Sequence, residues 1–296
     1  MTVTDPRQRH LELLARLGAG PALSDDDAVA RLLGTLELDR VDQVRFHAPL
    51  PTGDGRVFGG QLVAQALQAA SLTVAATRPV NSLHAYFVRA GRPGVPLVLD
   101  VWPWRDGGSF STRHVTASQD GVPVLELMAS FHAEEPGANW QLGPPAAVPS
   151  PEGLSPLGLS WIPLSAFDIR PVLGLPDPAG FPKLHPFWIR TRAPVGDDPV
   201  THASLLVHLS DIALMGRAAG PGCRFDVGRS ASLDHAVWFH RPARVDDWLL
   251  YDAEPTTNAG ARGLARGTLH TADGALVATI VQEALLRPGP DDARAD

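Results

Sequence analysis

The chain has 296 residues, 44% hydrophobic and 19% charged, enough to bury the cores of two ordinary domains. Its formal charge is −7, from 25 Lys and Arg against 32 Asp and Glu, and no cationic run is long enough to displace phosphate counterions, which excludes a nucleic-acid binder. The single cysteine, Cys223, excludes an intramolecular disulfide and a cysteine-based zinc site, and in its Gly-Pro loop it reads as an incidental thiol.

Residues 8–34 read as a helix, with Leu11, Leu13, Leu14 and Leu17 and then Ala28, Leu32 and Leu33, expected to pack outside a sheet. Its polar start, Met1-Thr2-Val3-Thr4-Asp5, has no signal pattern, and no window reaches the roughly 20 apolar residues of a membrane span, so a cytoplasmic protein is expected. A β-like segment, Val44-Arg45-Phe46-His47, comes next. Gly53-Asp54-Gly55-Arg56 resembles the start of a dinucleotide fingerprint but lacks the third glycine and a preceding βαβ pattern. After Gly59-Gly60, the residues Leu62, Val63, Ala66, Leu67 and Ala70 recur at helical spacing. Long β-rich runs then meet at Asp120-Gly121, a pair suited to a tight hairpin because glycine adopts positive φ without a steric cost. Single histidines on these runs, His84 and His132, read as hydrogen-bonded structural residues rather than metal ligands.

Residues 136–182 are dense in proline, which cannot sit inside a central strand, so they are read as a linker. Ser155 and Ser160 fall there without the strand–turn–helix setting of a nucleophile elbow. Beyond the linker the first pattern recurs. Phe187-Trp188-Ile189-Arg190 is β-like, and Leu205, Leu206, Leu209, Ile212 and Ala213 have helical spacing. β-rich runs again flank an Asp-Gly pair, Asp273-Gly274. Gly121 and Gly274 lie 153 positions apart, and Phe87-Val88-Arg89 lies 152 positions before Phe239-His240-Arg241. A near-constant offset across independent landmarks marks a duplication. The expected organisation is an N-terminal helical extension (1–40), a first unit (41–135), the linker (136–182), a second unit (183–288) and a disordered tail (289–296). Each unit is one helix on an antiparallel sheet, an α+β architecture.

Three polar residues of the second unit stand out. Asp211 lies close to the apolar stripe of its helix; it is either a partly exposed helix carboxylate or a cleft carboxylate with a raised pKa, suited to general base work. Gln282 interrupts the last strand where the first unit has Ala129, which points either to a gained function or to an amide bonding a neighbouring backbone. Ser232 lies on a strand-like run that places it on one face with Asp234 and Ala236. The adjacent Asp234-His235 pair looks like an acid–base couple, yet strand neighbours point to opposite faces unless the strand is bulged.

The set of motifs resembles the acyl-CoA thioesterase II family. Val57-Phe58-Gly59-Gly60-Gln61 is similar to its glycine-glycine-glutamine helix start, and Arg105-Asp106-Gly107-Gly108-Ser109-Phe110 to its arginine-aspartate-glycine strand. Leu233-Asp234-His235, Trp238-Phe239-His240-Arg241 and Val281-Gln282-Glu283 are similar to its C-terminal half. The resemblance runs from about Phe46 to Arg287. It implies a double hotdog fold, two tandem hotdog repeats each with a helix on a curled antiparallel sheet, and hydrolysis of fatty acyl-CoA to free acid and coenzyme A. It also implies a catalytic trio carried over as Asp211, Ser232 and Gln282, with serine in place of the family's threonine. An activated water then attacks the thioester, with no metal or redox cofactor and acyl-CoA as the substrate. Gly60 and Gln61 are candidates for oxyanion donors through their backbone N–H groups, though the same glycines also permit close helix packing. Arg105 and Arg262 are candidates for the coenzyme A phosphates, or ordinary surface arginines. A homo-oligomer is possible, because hotdog units usually pair. The competing readings are a hotdog hydratase or dehydratase using His208 and Asp211, and a non-catalytic acyl-CoA binding protein.

Overall fold

Local chemistry sets the helix limits. Helix α1 (Asp25–Gly34) starts where the Ser24 hydroxyl accepts the Asp27 N–H, with three aspartates in its first turn and Arg31 in its last. Its inward face is Ala28, Val29 and Leu32. Strands β1 (Asp39–Arg40) and β2 (Arg45–Ala48) lead to α2 (Gly59–Ser71), whose inward residues include Leu62, Val63 and Leu67. Then come β3 (Val80–Phe87), β4 (Leu97–Asp106), β5 (Phe110–Gln119) and β6 (Val122–His132). The β5–β6 turn has Asp120 at φ 50° and Gly121 at φ 73°, the doubly left-handed geometry that suits a two-residue hairpin.

The structure is a computed structural model that describes residues 23–53, 55–143, 148–157, 162–172, 185–220 and 223–289. The N-terminal residues 8–22 of the expected first helix, and residues 290–296 of the expected tail, lie outside these. The segment expected to be a proline-rich linker contains the single turn α3 (Ile162–Ser165) and strand β7 (Phe167–Pro171). β7 pairs antiparallel with β8 (Phe187–Thr191) and forms one end of the sheet, where a terminal proline leaves no ladder bond unmade. The second unit therefore starts earlier than residue 183.

The rest of that unit is α4 (Pro199–Ser210), α5 (Leu214–Ala218), β9 (Ala231–Ser232), β10 (Asp234–Phe239), β11 (Leu249–Ala259), β12 (Arg262–Thr271) and β13 (Leu276–Leu285). Among the described residues, 13 strands form one sheet in the order β1-β2-β4-β5-β6-β3-β10-β13-β12-β11-β8-β7, with β9 on β13. From the β3–β10 junction outwards, β3, β6, β5, β4 and β2 match β10, β13, β12, β11 and β8. The duplication read from the sequence is thus a local two-fold axis, and it passes through the pair formed by His84 and Ala236. Helix α2 packs on β4, β5 and β6, and α5 on β11, β12 and β13. Helix α4 is buried nearly all round and runs antiparallel to α2, with Gly60 against Asp211 and the Ser204 hydroxyl donating to Gln68 Oε1 at 2.9 Å.

Candidate active site

The site forms where the start of α2 meets the end of α4. Pro199 follows the cap residue Asp198, which accepts the Thr201 N–H at 2.9 Å, and the helix ends at Ser210. Asp211 is therefore not inside the helix, as its spacing suggested, but caps its C-terminus, only 8% exposed. Its Oδ2 accepts the backbone N–H of Gly60 at 2.7 Å, from the other unit. This approach demands glycine. A Cβ on Gly60 would lie 2.5 Å from the His208 carbonyl oxygen and 2.6 Å from the Phe58 ring. One on Gly59 would lie 2.9 Å from Asp211 Oδ2. Burial pushes the Asp211 carboxyl up to about 7, partly offset by hydrogen bonds from Gly60 and Gln282. The C-terminal end of α4 also disfavours negative charge there.

Gln282 is fully buried on β13, its Nε2 donating to Ser232 Oγ at 2.8 Å. How Ser232 reaches it differs from expectation. Ala236 faces Val281 and Ser232 faces Ala284, so four steps along one side of the ladder meet three along the other. This bulge at Leu233 turns Ser232 away from the face of Asp234 and onto the face of His235. Asp234 points the other way, its Oδ2 lying 3.0 Å from His84 Nε2 and its Oδ1 accepting the Glu283 N–H at 2.7 Å. His235 points inward, fully buried, with Nδ1 2.6 Å from Gln282 Oε1 and Nε2 2.8 Å from Ser210 Oγ. Burial holds its pKa down to about 4. The Tyr251 hydroxyl donates to the Ser210 carbonyl at 2.5 Å and so braces the end of α4 next to Asp211.

His235, Ser210 and Tyr251 were missed as site residues, and a signal for the first was available. With the 152-residue offset, His235 corresponds to Leu83, a contrast of the kind that set Gln282 against Ala129. Leu83 faces Ala129 across β3 and β6. An apolar pair in the first unit is a histidine–glutamine pair in the second.

The other expected residues divide. The Gly60 N–H is not free for an oxyanion, because Asp211 takes it, and the Gln61 N–H donates to the Phe58 carbonyl. The Gln61 side chain is 4% exposed, and its Nε2 has no partner among the described residues. Arg262 forms an exposed ion pair with Glu283 at 2.9 Å, next to Gln282 in the chain. Arg105 belongs to the first unit, where it lines an open groove with Gly107, Gly108, Ser109 and Phe110. His208 packs its ring against Phe58 and Phe167. Burial raises the Cys223 thiol pKa, the wrong direction for a nucleophile.

The two units differ at the cross-strand neighbour of Gln282 and its counterpart. Where Ala265 faces Gln282, the first unit has Arg113 facing Ala129. Arg113 is 3% exposed and donates to Thr73 Oγ1 at 2.9 Å, to the Thr73 carbonyl at 2.9 Å and to the Asp106 carboxylate at 2.9 Å. The first unit thus has a buried guanidinium beside Ala129 where the second has the small Ala265 beside Gln282.

Known proteins share this layout. Residues 46–132 match the family model of the acyl-CoA thioesterase N-terminal domain, and residues 143–286 that of the C-terminal domain. Mouse acyl-coenzyme A thioesterase 8 is 34% identical over 300 residues, covering 90% of this chain and 92% of its own. The TesB protein of Mycobacterium avium subspecies paratuberculosis is 38% identical, with a TM-score of 0.78 over 88% of this chain and 100% of its own. A hot dog fold protein from Alicyclobacillus acidocaldarius superposes with a TM-score of 0.68 at 20% identity, over 86% of this chain and 97% of its own. With both family models matched in order, the chain belongs to the acyl-CoA thioesterase family, a thioester hydrolase made of two fused hotdog units.

Proposed function

We propose that this chain hydrolyses acyl-CoA with a water held between Asp211, Ser232 and Gln282. The Asp211 carboxylate takes a proton from the water as its oxygen attacks the thioester carbonyl. The tetrahedral intermediate then expels the coenzyme A thiolate, which takes that proton back from Asp211, leaving the free acid. The carrying observation is a buried carboxyl, held by the Gly60 N–H and pushed up to about 7, within electrostatic reach of Gln282, whose amide holds the Ser232 hydroxyl. Because Gly60 is spent on holding the base, the unpartnered Gln61 Nε2 is the donor in this reading for the developing oxyanion. Arg262, in its exposed ion pair with Glu283, and Arg105, in the groove of the first unit, are the two candidates for a coenzyme A phosphate.

The test follows free thiol release from acyl-CoAs of several chain lengths, beside an Asp211→Asn variant. No release at any chain length would sink the hydrolase reading for these substrates. Equal release by the variant would remove Asp211 as the base. The steps use only side-chain and backbone groups of the chain, so dialysis against a chelator is expected to leave the rate unchanged. The same reading has the enzyme working in the cytoplasm, with two chains able to pair, to be checked by fractionation and by sedimentation.

A further inference from the structure

We propose that His235 is a positioning residue that locks the Gln282 amide in its working orientation through a one-way chain of hydrogen bonds starting at Ser210. This rests on Gln282 orienting the water, as read above. A glutamine amide is nearly symmetric in shape, and only its partners decide which end is oxygen. Here the correct end matters. The NH2 must face Ser232 Oγ and the Asp211 carboxylate, because a carbonyl oxygen against a carboxylate is repelled.

His235 supplies the decision. It is fully buried and neutral at pH 7, so one ring nitrogen donates and the other accepts. Ser210 Oγ, 2.8 Å from Nε2, has one proton and two acceptors in reach, the other being the Val207 carbonyl at 2.9 Å. When that proton goes to Nε2, Nδ1 carries the ring proton and donates across 2.6 Å to Gln282 Oε1. Oε1 is thereby held toward the histidine, and Nε2 is left facing Ser232 and Asp211. Asp234 and His84, the charged or titratable groups acting on the ring from its own strand and from β3, lie on the opposite face of the sheet. The first unit, with Leu83 and Ala129 at the matching places, has neither the amide nor the residue to aim it.

The experiment measures thiol release for wild type, Gln282→Ala, His235→Leu, His235→Asn and the double variant Gln282→Ala/His235→Leu, with a melting curve for each. His235→Leu is expected to lower kcat on the order of 10- to 100-fold while KM stays within about twofold. His235→Asn, which keeps an N–H donor near the place of Nδ1, is expected to recover most of the loss. The double variant is expected to be no slower than Gln282→Ala alone, because His235 acts only through that amide. Wild-type kcat in folded His235→Leu, or losses that multiply in the double variant, would overturn the inference. Wild-type kcat in Gln282→Ala would instead overturn the assignment of Gln282 itself, and this inference with it. Should His235→Leu fail to fold, the imidazole nitrogen shifts of His235 in the intact wild-type enzyme decide. A proton on Nδ1 at pH 7 supports the chain; a proton on Nε2 only, or an imidazolium, refutes it.

Discussion

Asp211 ties activity and stability to pH in opposite senses. The proposed base works deprotonated, so kcat should rise with pH through about 7, and Asp211→Asn should be slower by about 10²–10⁴-fold and lose that dependence. A pH profile of thiol release reads both. For stability the sign reverses. A carboxyl raised from 3.8 to about 7 on folding gives its full contribution below pH 4 and loses it as pH rises through 7, a loss of about 4 kcal/mol at most. Asp211→Asn should therefore melt above wild type at pH 8, the gap closing toward pH 4. Scanning calorimetry at the two pH values checks this. Part of this residue's role was legible in the sequence, because a carboxylate on an apolar stripe is unusual. Its exact neighbours were not, since they come from the other unit 151 positions away.

Between helices, the decisive feature is the contact of α2 and α4. Gly→Ala in a helix ordinarily stabilises by about 1 kcal/mol. At Gly60 the added Cβ meets backbone at 2.5 Å, and backbone cannot rotate aside, so Gly60→Ala should instead destabilise by about 1–3 kcal/mol and cut kcat. Urea unfolding beside thiol release checks both. Arg113 makes a complementary case. Arg113→Ala should cost about 1–3 kcal/mol through the stranded Thr73 carbonyl yet leave kcat unchanged, because its hydrogen bonds go to Thr73, Asp106 and nearby carbonyls of the first unit and to none of Asp211, Ser232 and Gln282. The sequence showed α2, α4 and the paired β-runs because apolar spacing and the Asp-Gly pairs are local signals. It hid β7, whose five residues sit among prolines with no alternation to mark them, and the Leu233 bulge, which exists only as a mismatch between two ladders.

Across the whole molecule, the β3–β10 ladder joins the two units into a single sheet, and the site takes Gly60 from one and Asp211, Ser232 and Gln282 from the other. Neither unit can lose this boundary without exposing the flanks of Leu83 and Val237, both buried. Thermal unfolding should therefore be one transition, with tryptophan fluorescence and far-ultraviolet dichroism coinciding; separate midpoints for the two probes would contradict it. The duplication was fully legible from offsets of 152 and 153, since repeated sequence forces repeated pairing. The inequality of the units was legible at Ala129 and equally at Leu83, which corresponds to His235.

The His84–Ala236 pair on the local axis carries a consequence for ancestry. In a dimer of identical chains, a residue on the axis meets its own copy, and every substitution is made twice. Histidine could then face only histidine there, and a buried arginine could not be gained in one copy without being gained in both. Joining two copies in one gene removed that obligation. One copy is then free to keep a proposed base and amide that the other lacks, and on that proposal a titration of reactive sites should count one per chain.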